Sequence, residues 1–126
     1  MKSVDSSLSS FIKEWLGTPY RWGGKTKNGI DCSQFNKVLY KKVYSLDLTN
    51  TCKEQYTETK RIKFSDLLEG DLLFFNSPSS PSKWHCGVYL GNMKFVHSSS
   101  TKNGVKISDF SESTYKKRFK SGGRIF

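Results

Sequence analysis

The chain has no apolar run approaching the roughly 20 residues that a membrane-crossing helix requires. Its first residues, Met1-Lys2-Ser3-Val4-Asp5-Ser6-Ser7-Leu8, lack the apolar centre of a signal peptide, so no export signal is visible in this stretch. Acidic residues are scarce, 11 against 21 basic ones, for a formal charge of +10. Such a surface should attract anionic partners such as nucleic acid, acidic lipid or an anionic wall polymer. The lysines, however, form only short clusters (Lys41-Lys42, Lys60-Arg61, Lys116-Lys117-Arg118), with no long basic block and no recognised nucleic-acid motif. Nucleic acid is therefore not an expected partner. The three cysteines, Cys32, Cys52 and Cys86, show no C-x-x-C spacing. They make neither an even disulfide framework nor a zinc site, and at least one thiol stays free in a monomer. With only two histidines and no close ligand spacing, no metal or other cofactor is expected. No internal repeat is visible.

What remains is one domain, residues 1–126, large enough to bury a core without staples and read as a monomer. Leu8, Phe11, Ile12 and Trp15 share one face of a helix over about Ser7 to Trp15, stopped by Gly17 and Pro19 and expected to pack on the helix that follows. The run Gly17-Thr18-Pro19-Tyr20-Arg21-Trp22-Gly23-Gly24 leaves no room for a regular element. A second helix starts at Cys32: Asp31 is a good N-cap, Gln34 completes a capping box, and Phe35, Leu39 and Val43 recur on the Cys32 stripe. Thr51 to Thr59 holds a short helical turn. Leu72-Leu73-Phe74-Phe75 reads as a strand buried on both faces. After the Ser/Pro-rich loop Ser77 to Ser82, strands Trp84 to Leu90 and Lys94 to Ser98 flank the hairpin signal Gly91-Asn92. A turn at Lys102-Asn103 precedes a strand over Gly104 to Ser108. Ser111 to Phe119 forms a terminal helix, and Gly123 to Phe126 closes the sheet edge. Helices first and a meandering antiparallel sheet afterward make an α+β fold with N-terminal helices packed on a central sheet.

The candidate chemistry follows from that order. Cys32 lies in the first turn of a helix, where unpaired amide N–H groups favour a thiolate, the form that attacks carbonyl carbon. The Asp31 carboxylate opposes this unless it turns to cap the backbone. His85 and His97 fall on the hairpin strands; a neutral imidazole can take the thiol proton if a third group holds its ring. Strand alternation puts His85, Gly87 and Tyr89 on one face and Cys86, Val88 and Leu90 on the other. A plain two-residue Gly91-Asn92 loop would set Cys86 opposite His97 and send the histidines to different sides. An odd-numbered connection or a bulge sets His97 opposite Gly87 instead, where the missing side chain leaves room for both rings.

Five segments, Gly17 to Gly24, Asp31-Cys32-Ser33, Gly70 to Phe75, His85 to Gly91 and Phe95 to Ser98, resemble in residues and order the NlpC-type bacterial cell-wall cysteine peptidases. The resemblance implies a papain-like fold and a peptidoglycan hydrolase that cuts a stem-peptide amide, between D-glutamate and the diamino acid, through an acyl-enzyme. It implies Cys32 as nucleophile, His85 as general base and His97 as orienting residue, with Tyr20, Asp31 and Ser33 on the substrate side. It also implies stem peptides as partner and the cell envelope, periplasmic or secreted, as location. Two departures bear on the cleft. Gln34 stands where the family has glycine and would narrow it, and Leu48-Thr49-Asn50 replaces Leu-Pro-Arg, removing an arginine. The alternatives are a silent basic module binding an anionic polymer, or an acyltransferase or amidase on a related fold. Protonation of His97 is expected to reduce activity at mildly acidic pH.

Overall fold

A computed structural model of the protein describes residues 6–78, 80–100 and 104–125. Helix α1, Ser6–Trp15, buries Leu8, Phe11, Ile12 and Trp15, the face that the spacing predicts. It packs on α2, Cys32–Tyr44, with the Phe11 and Phe35 ring centroids 5.8 Å apart. Between them, the two-residue strands β1 (Lys25–Thr26) and β2 (Gly29–Ile30) form a small hairpin that the glycine-rich reading passes over. Helix α3, Cys52–Glu58, is closed by a full capping box between Thr51 and Glu54, a pairing that satisfies two orphan N–H groups. The turn expected at Lys102-Asn103, the end of the chain at Phe126 and Met1 to Asp5 lie outside the described residues.

The remaining strands are β3 (Lys60–Ile62), β4 (Leu72–Asn76), β5 (Trp84–Gly91), β6 (Lys94–Ser98), β7 (Val105–Asp109) and β8 (Phe119–Arg124), with α4 (Ser113–Arg118) between the last two. They form one antiparallel sheet in the order β3-β8-β4-β5-β6-β7. The C-terminal strand therefore does not close an edge: β8 lies between β3 and β4. Arg124 clamps it there, its guanidinium donating to both Asp71 oxygens at 2.8 and 2.7 Å, a bidentate pair at the start of β4.

Leu72 to Phe75 is 2% exposed or less, because β4 is covered on both faces. Leu72 and Phe74 face α1 and α2, in a core with Phe35, Leu39, Val88 and Val96. Leu73 and Phe75 face the other way, into a smaller aromatic core with Tyr89, Phe95 and Phe110. Full burial of one such side chain is worth about 1.5–3 kcal/mol, so both faces hold the sheet in place.

The β5–β6 hairpin decides where the histidines point. Its turn is Asn92-Met93, one residue later than the Gly91-Asn92 signal, and both take the positive φ (51° and 64°) of a two-residue hairpin turn. Gly91 pairs with Lys94, but Tyr89 pairs with Phe95 and Val88 with Val96, so a bulge lies between Tyr89 and Gly91. Without it, His97 would stand opposite Val88 and face α2. With it, His97 comes opposite Gly87 and shares a face with His85. Glycine is needed at 87: a Cβ there would lie 2.8 Å from the Val96 carbonyl oxygen and 3.0 Å from the His97 Cβ.

Candidate active site

Asp31 caps α2 from an extended conformation, accepting from the Gln34 N–H at 2.8 Å, the Gly23 N–H at 3.0 Å and the Ser33 hydroxyl at 3.1 Å. Its charge is thus engaged with the backbone. Ser33 is buried with its hydroxyl donating to Asp31. The expected capping box is only half formed, because the Gln34 side chain donates to the Asn50 carbonyl at 3.1 Å instead. Gln34 is 8% exposed and lies in the seam between α2 and the segment before α3. The two departures from the family pattern are bonded to each other.

Cys32 is 7% exposed, and its Sγ lies 3.5 Å from Cys52 Sγ. Cys52 is disulfide-bonded to Cys86, which ties α3 to β5 and leaves Cys32 the one free thiol. The three sulfurs lie within 4.8 Å of one another, but two are joined, so a single thiol remains to meet a metal. Burial pushes the Cys32 thiol up to about 12, and the Asp31 carboxylate adds to this. The N–H groups of Cys86, Ser33 and Cys32 itself act on the sulfur in the other direction. Burial likewise raises Tyr20 to about 12, with Cys32 and Asp31 adding to the rise, which puts the Tyr20 ring within electrostatic reach of the thiol. A backbone bridge to Ile30 holds Tyr20 there.

The histidines meet on the opposite face of the sheet. His85 Nε2 is 2.6 Å from His97 Nδ1, and His97 Nε2 is 2.8 Å from Ser108 Oγ. Phe75, Phe95 and Tyr115 surround the pair, with the Phe95 and His97 centroids 4.5 Å apart. Burial, and after it Lys106, which pairs with His97 across the β6–β7 ladder, lowers His85 to about 4. His97 falls well below 6.5, through burial first and then through His85 and Lys106. Both rings are therefore neutral at mildly acidic pH, which corrects the expectation that His97 protonates there. A cavity of about 150 Å³ opens onto the two rings, lined also by Tyr115 and Arg118.

The structure thus brings together His85 with His97, and Cys32 with Tyr20 and Asp31. Among the described residues, neither imidazole hydrogen-bonds to Cys32. The Cys86 N–H, one residue from His85, acts on the Cys32 sulfur. Sequence reasoning missed Cys52, Lys106 and Ser108. For the last two the strand was legible, but its register against β6 was not.

Four helices packed on a six-stranded antiparallel sheet, with a free cysteine opening α2 and paired histidines on β5 and β6, make the frame of a papain-like α+β domain. Residues 17–124 match the NlpC/P60 family. Over 121 residues the chain is 40% identical to a Haemophilus influenzae protein named "Probable endopeptidase NlpC homolog", covering 96% of this chain and 63% of the relative. Over 122 residues it is 38% identical to the Escherichia coli K12 "Murein DD-endopeptidase MepS/Murein LD-carboxypeptidase", covering 97% and 63%. It superposes on the crystal structure of the NlpC/p60 domain of the peptidoglycan hydrolase SagA with a TM-score of 0.78 at 27% identity, covering 94% of this chain and 97% of that one. This chain belongs to the NlpC/P60 family. It spans 63% of the length of the two curated relatives.

Proposed function

We propose that this domain is a peptidoglycan endopeptidase of the cell envelope, cutting a stem-peptide amide through an acyl-enzyme on Cys32. The observation that carries the reading is the hydrogen bond between His85 Nε2 and His97 Nδ1. It commits one nitrogen of His85 to its partner, and Nδ1 keeps no hydrogen bond among the described residues. That nitrogen is the general base for the thiol and later the acid for the leaving amine. Substrate completes the contact between thiol and imidazole, since catalytic hydrogen bonds often tighten only in the Michaelis complex. The helix-start amides of Cys32 and Ser33 supply oxyanion donors, each typically worth about 3 kcal/mol. Tyr20 lines the substrate side. The bond between D-glutamate and the diamino acid is the proposed target; a D,D cross-link is the competitor, because one relative is named a DD-endopeptidase.

Mass spectrometry of muropeptides from sacculi treated with the wild type and with Cys32→Ala tests the reading. New fragments that vanish in the variant support it, and their masses assign the bond. Equal release by both proteins overturns it. A second reading, a silent binding module, is favoured by the thiol and imidazole pair standing without a mutual hydrogen bond. It requires sacculus binding by wild type and Cys32→Ala alike, with no fragment released by either.

A further inference from the structure

The hydrogen-bond chain on the imidazole face does not stop at His97. Ser108 pairs with Phe95, and Lys106 with His97, across the β6–β7 ladder; strand alternation therefore puts the Ser108 side chain on the imidazole face. Its Oγ lies 2.8 Å from His97 Nε2. Ser108 is 8% exposed and His97 1%, so water does not readily replace this contact.

Proton counting fixes what the contact does. For His85 to accept the thiol proton at Nδ1, its own ring proton must sit on Nε2 and be donated to His97 Nδ1. A neutral His97 whose Nδ1 accepts carries its proton on Nε2. That buried N–H needs an acceptor, and Ser108 Oγ is the one in place. When His85 takes the second proton and becomes imidazolium, the same two hydrogen bonds remain, donor for donor. No group has to turn. The reverse order, with Oγ–H donating to His97 Nε2 and His97 Nδ1–H to His85, leaves a proton on His85 Nδ1 and removes the base.

We propose that Ser108 is a positioning residue for the hydrolysis assigned above: as acceptor for His97 Nε2–H, it holds both imidazoles in the tautomers that leave His85 Nδ1 free to act as base. The inference rests on that functional reading for its kinetic consequence, but its structural content is independent of activity. Removing the acceptor leaves a buried N–H unpaired, a state that proteins avoid by moving the proton. His97 then shifts toward the Nδ1–H form and His85 loses its function, as when a triad's orienting group is changed and the wrong tautomer results.

The test compares wild type, Ser108→Ala and Ser108→Thr by muropeptide kinetics and by ¹⁵N-resolved NMR of the His97 ring. Ser108→Ala should lose about 10–100-fold in kcat, the loss typical of an orienting partner, with KM nearly unchanged. Its His97 ring should move from the Nε2–H to the Nδ1–H pattern, and Ser108→Thr, which keeps the hydroxyl, should restore both. Unchanged kcat with an unchanged tautomer in Ser108→Ala overturns the assignment. If Ser108→Ala does not fold, Ser108→Thr carries the test: Nε2–H at His97 with near-wild-type kcat supports the assignment, and Nδ1–H with wild-type kcat overturns it. A wild type that releases no fragment defeats the hydrolase reading instead. The His97 tautomer in Ser108→Ala then decides the Ser108 assignment alone, upholding it if shifted and overturning it if not.

Discussion

The two faces of the central sheet hold the two halves of the proposed chemistry, and they are built differently. The α2 face holds sulfur in a mixed core: Cys32, Cys52 and Cys86 lie in one cluster with Leu39, Leu72, Val88 and Val96 and with the rings of Phe35 and Phe74. The other face is aromatic and holds nitrogen: His85 and His97 lie among Phe75, Phe95 and Tyr115. His85 and Cys86 are adjacent in sequence, yet alternation sends them to opposite sides. Burial acts on both faces, but in opposite directions for acid and base. It raises the thiol to about 12 and lowers His85 to about 4, because in each case the charged form is the one penalised. In both cases burial favours the neutral form of the resting group.

The largest effect that breaks this symmetry is removal of the base. His85→Asn should lower kcat/KM on muropeptides by about 10²–10⁴-fold, the usual share of a general acid–base, with the thermal transition little changed. Activity within a few fold of wild type would leave the imidazole face without a role. Next comes the position that lets both rings share a face. Gly87→Ala should cost about 1–3 kcal/mol in denaturant unfolding, since the added carbon meets the Val96 carbonyl and the His97 Cβ and one of them must give way. Activity should fall with it. An unaltered midpoint would show that the strands have slack there.

The smallest effect is on stability against pH. His85 has its folded value below the ordinary 6.5, so between about 6.5 and about 4 the unfolded chain binds more protons than the folded one. The contribution is fully present above 6.5 and is lost as pH falls toward 4; His97, lowered in the same direction, extends the loss to lower pH. For His85 it amounts to at most about 3 kcal/mol. Differential scanning calorimetry should find a transition falling over that window in wild type and a flatter dependence in His97→Gln. A wild-type transition independent of pH from 7 to 4 would contradict the neutral pair.

Much of this was legible in the chain before any coordinates. The α1 stripe, the capped start of α2 and the four-residue run of β4 follow from spacing, because each uses a local period that burial then rewards. The demand for a bulge or an odd loop in the β5–β6 hairpin also followed, from parity alone, and the bulge between Tyr89 and Gly91 meets it. What the sequence could not yield were relations between distant segments. The insertion of β8 between β3 and β4 depends on Arg124 finding Asp71, 53 residues away. The Cys52–Cys86 disulfide spans 34 residues and joins a helix to a strand, with no spacing rule to announce it. Ser108 had no signal until β7 had a register, since an isolated strand serine is ordinarily just a polar residue facing solvent.

The claim that thiol and imidazole rest neutral and unjoined is tested most directly by alkylation. With Cys52 and Cys86 bonded to each other, iodoacetamide reports on Cys32 alone. The rate of labelling against pH, in wild type and in His85→Asn without substrate, should show one inflection well above pH 9 that is the same in both proteins. A rate that is already high near pH 6, and falls when His85 is replaced, would mean that a thiolate–imidazolium pair stands preformed across the sheet, which contradicts a neutral resting site.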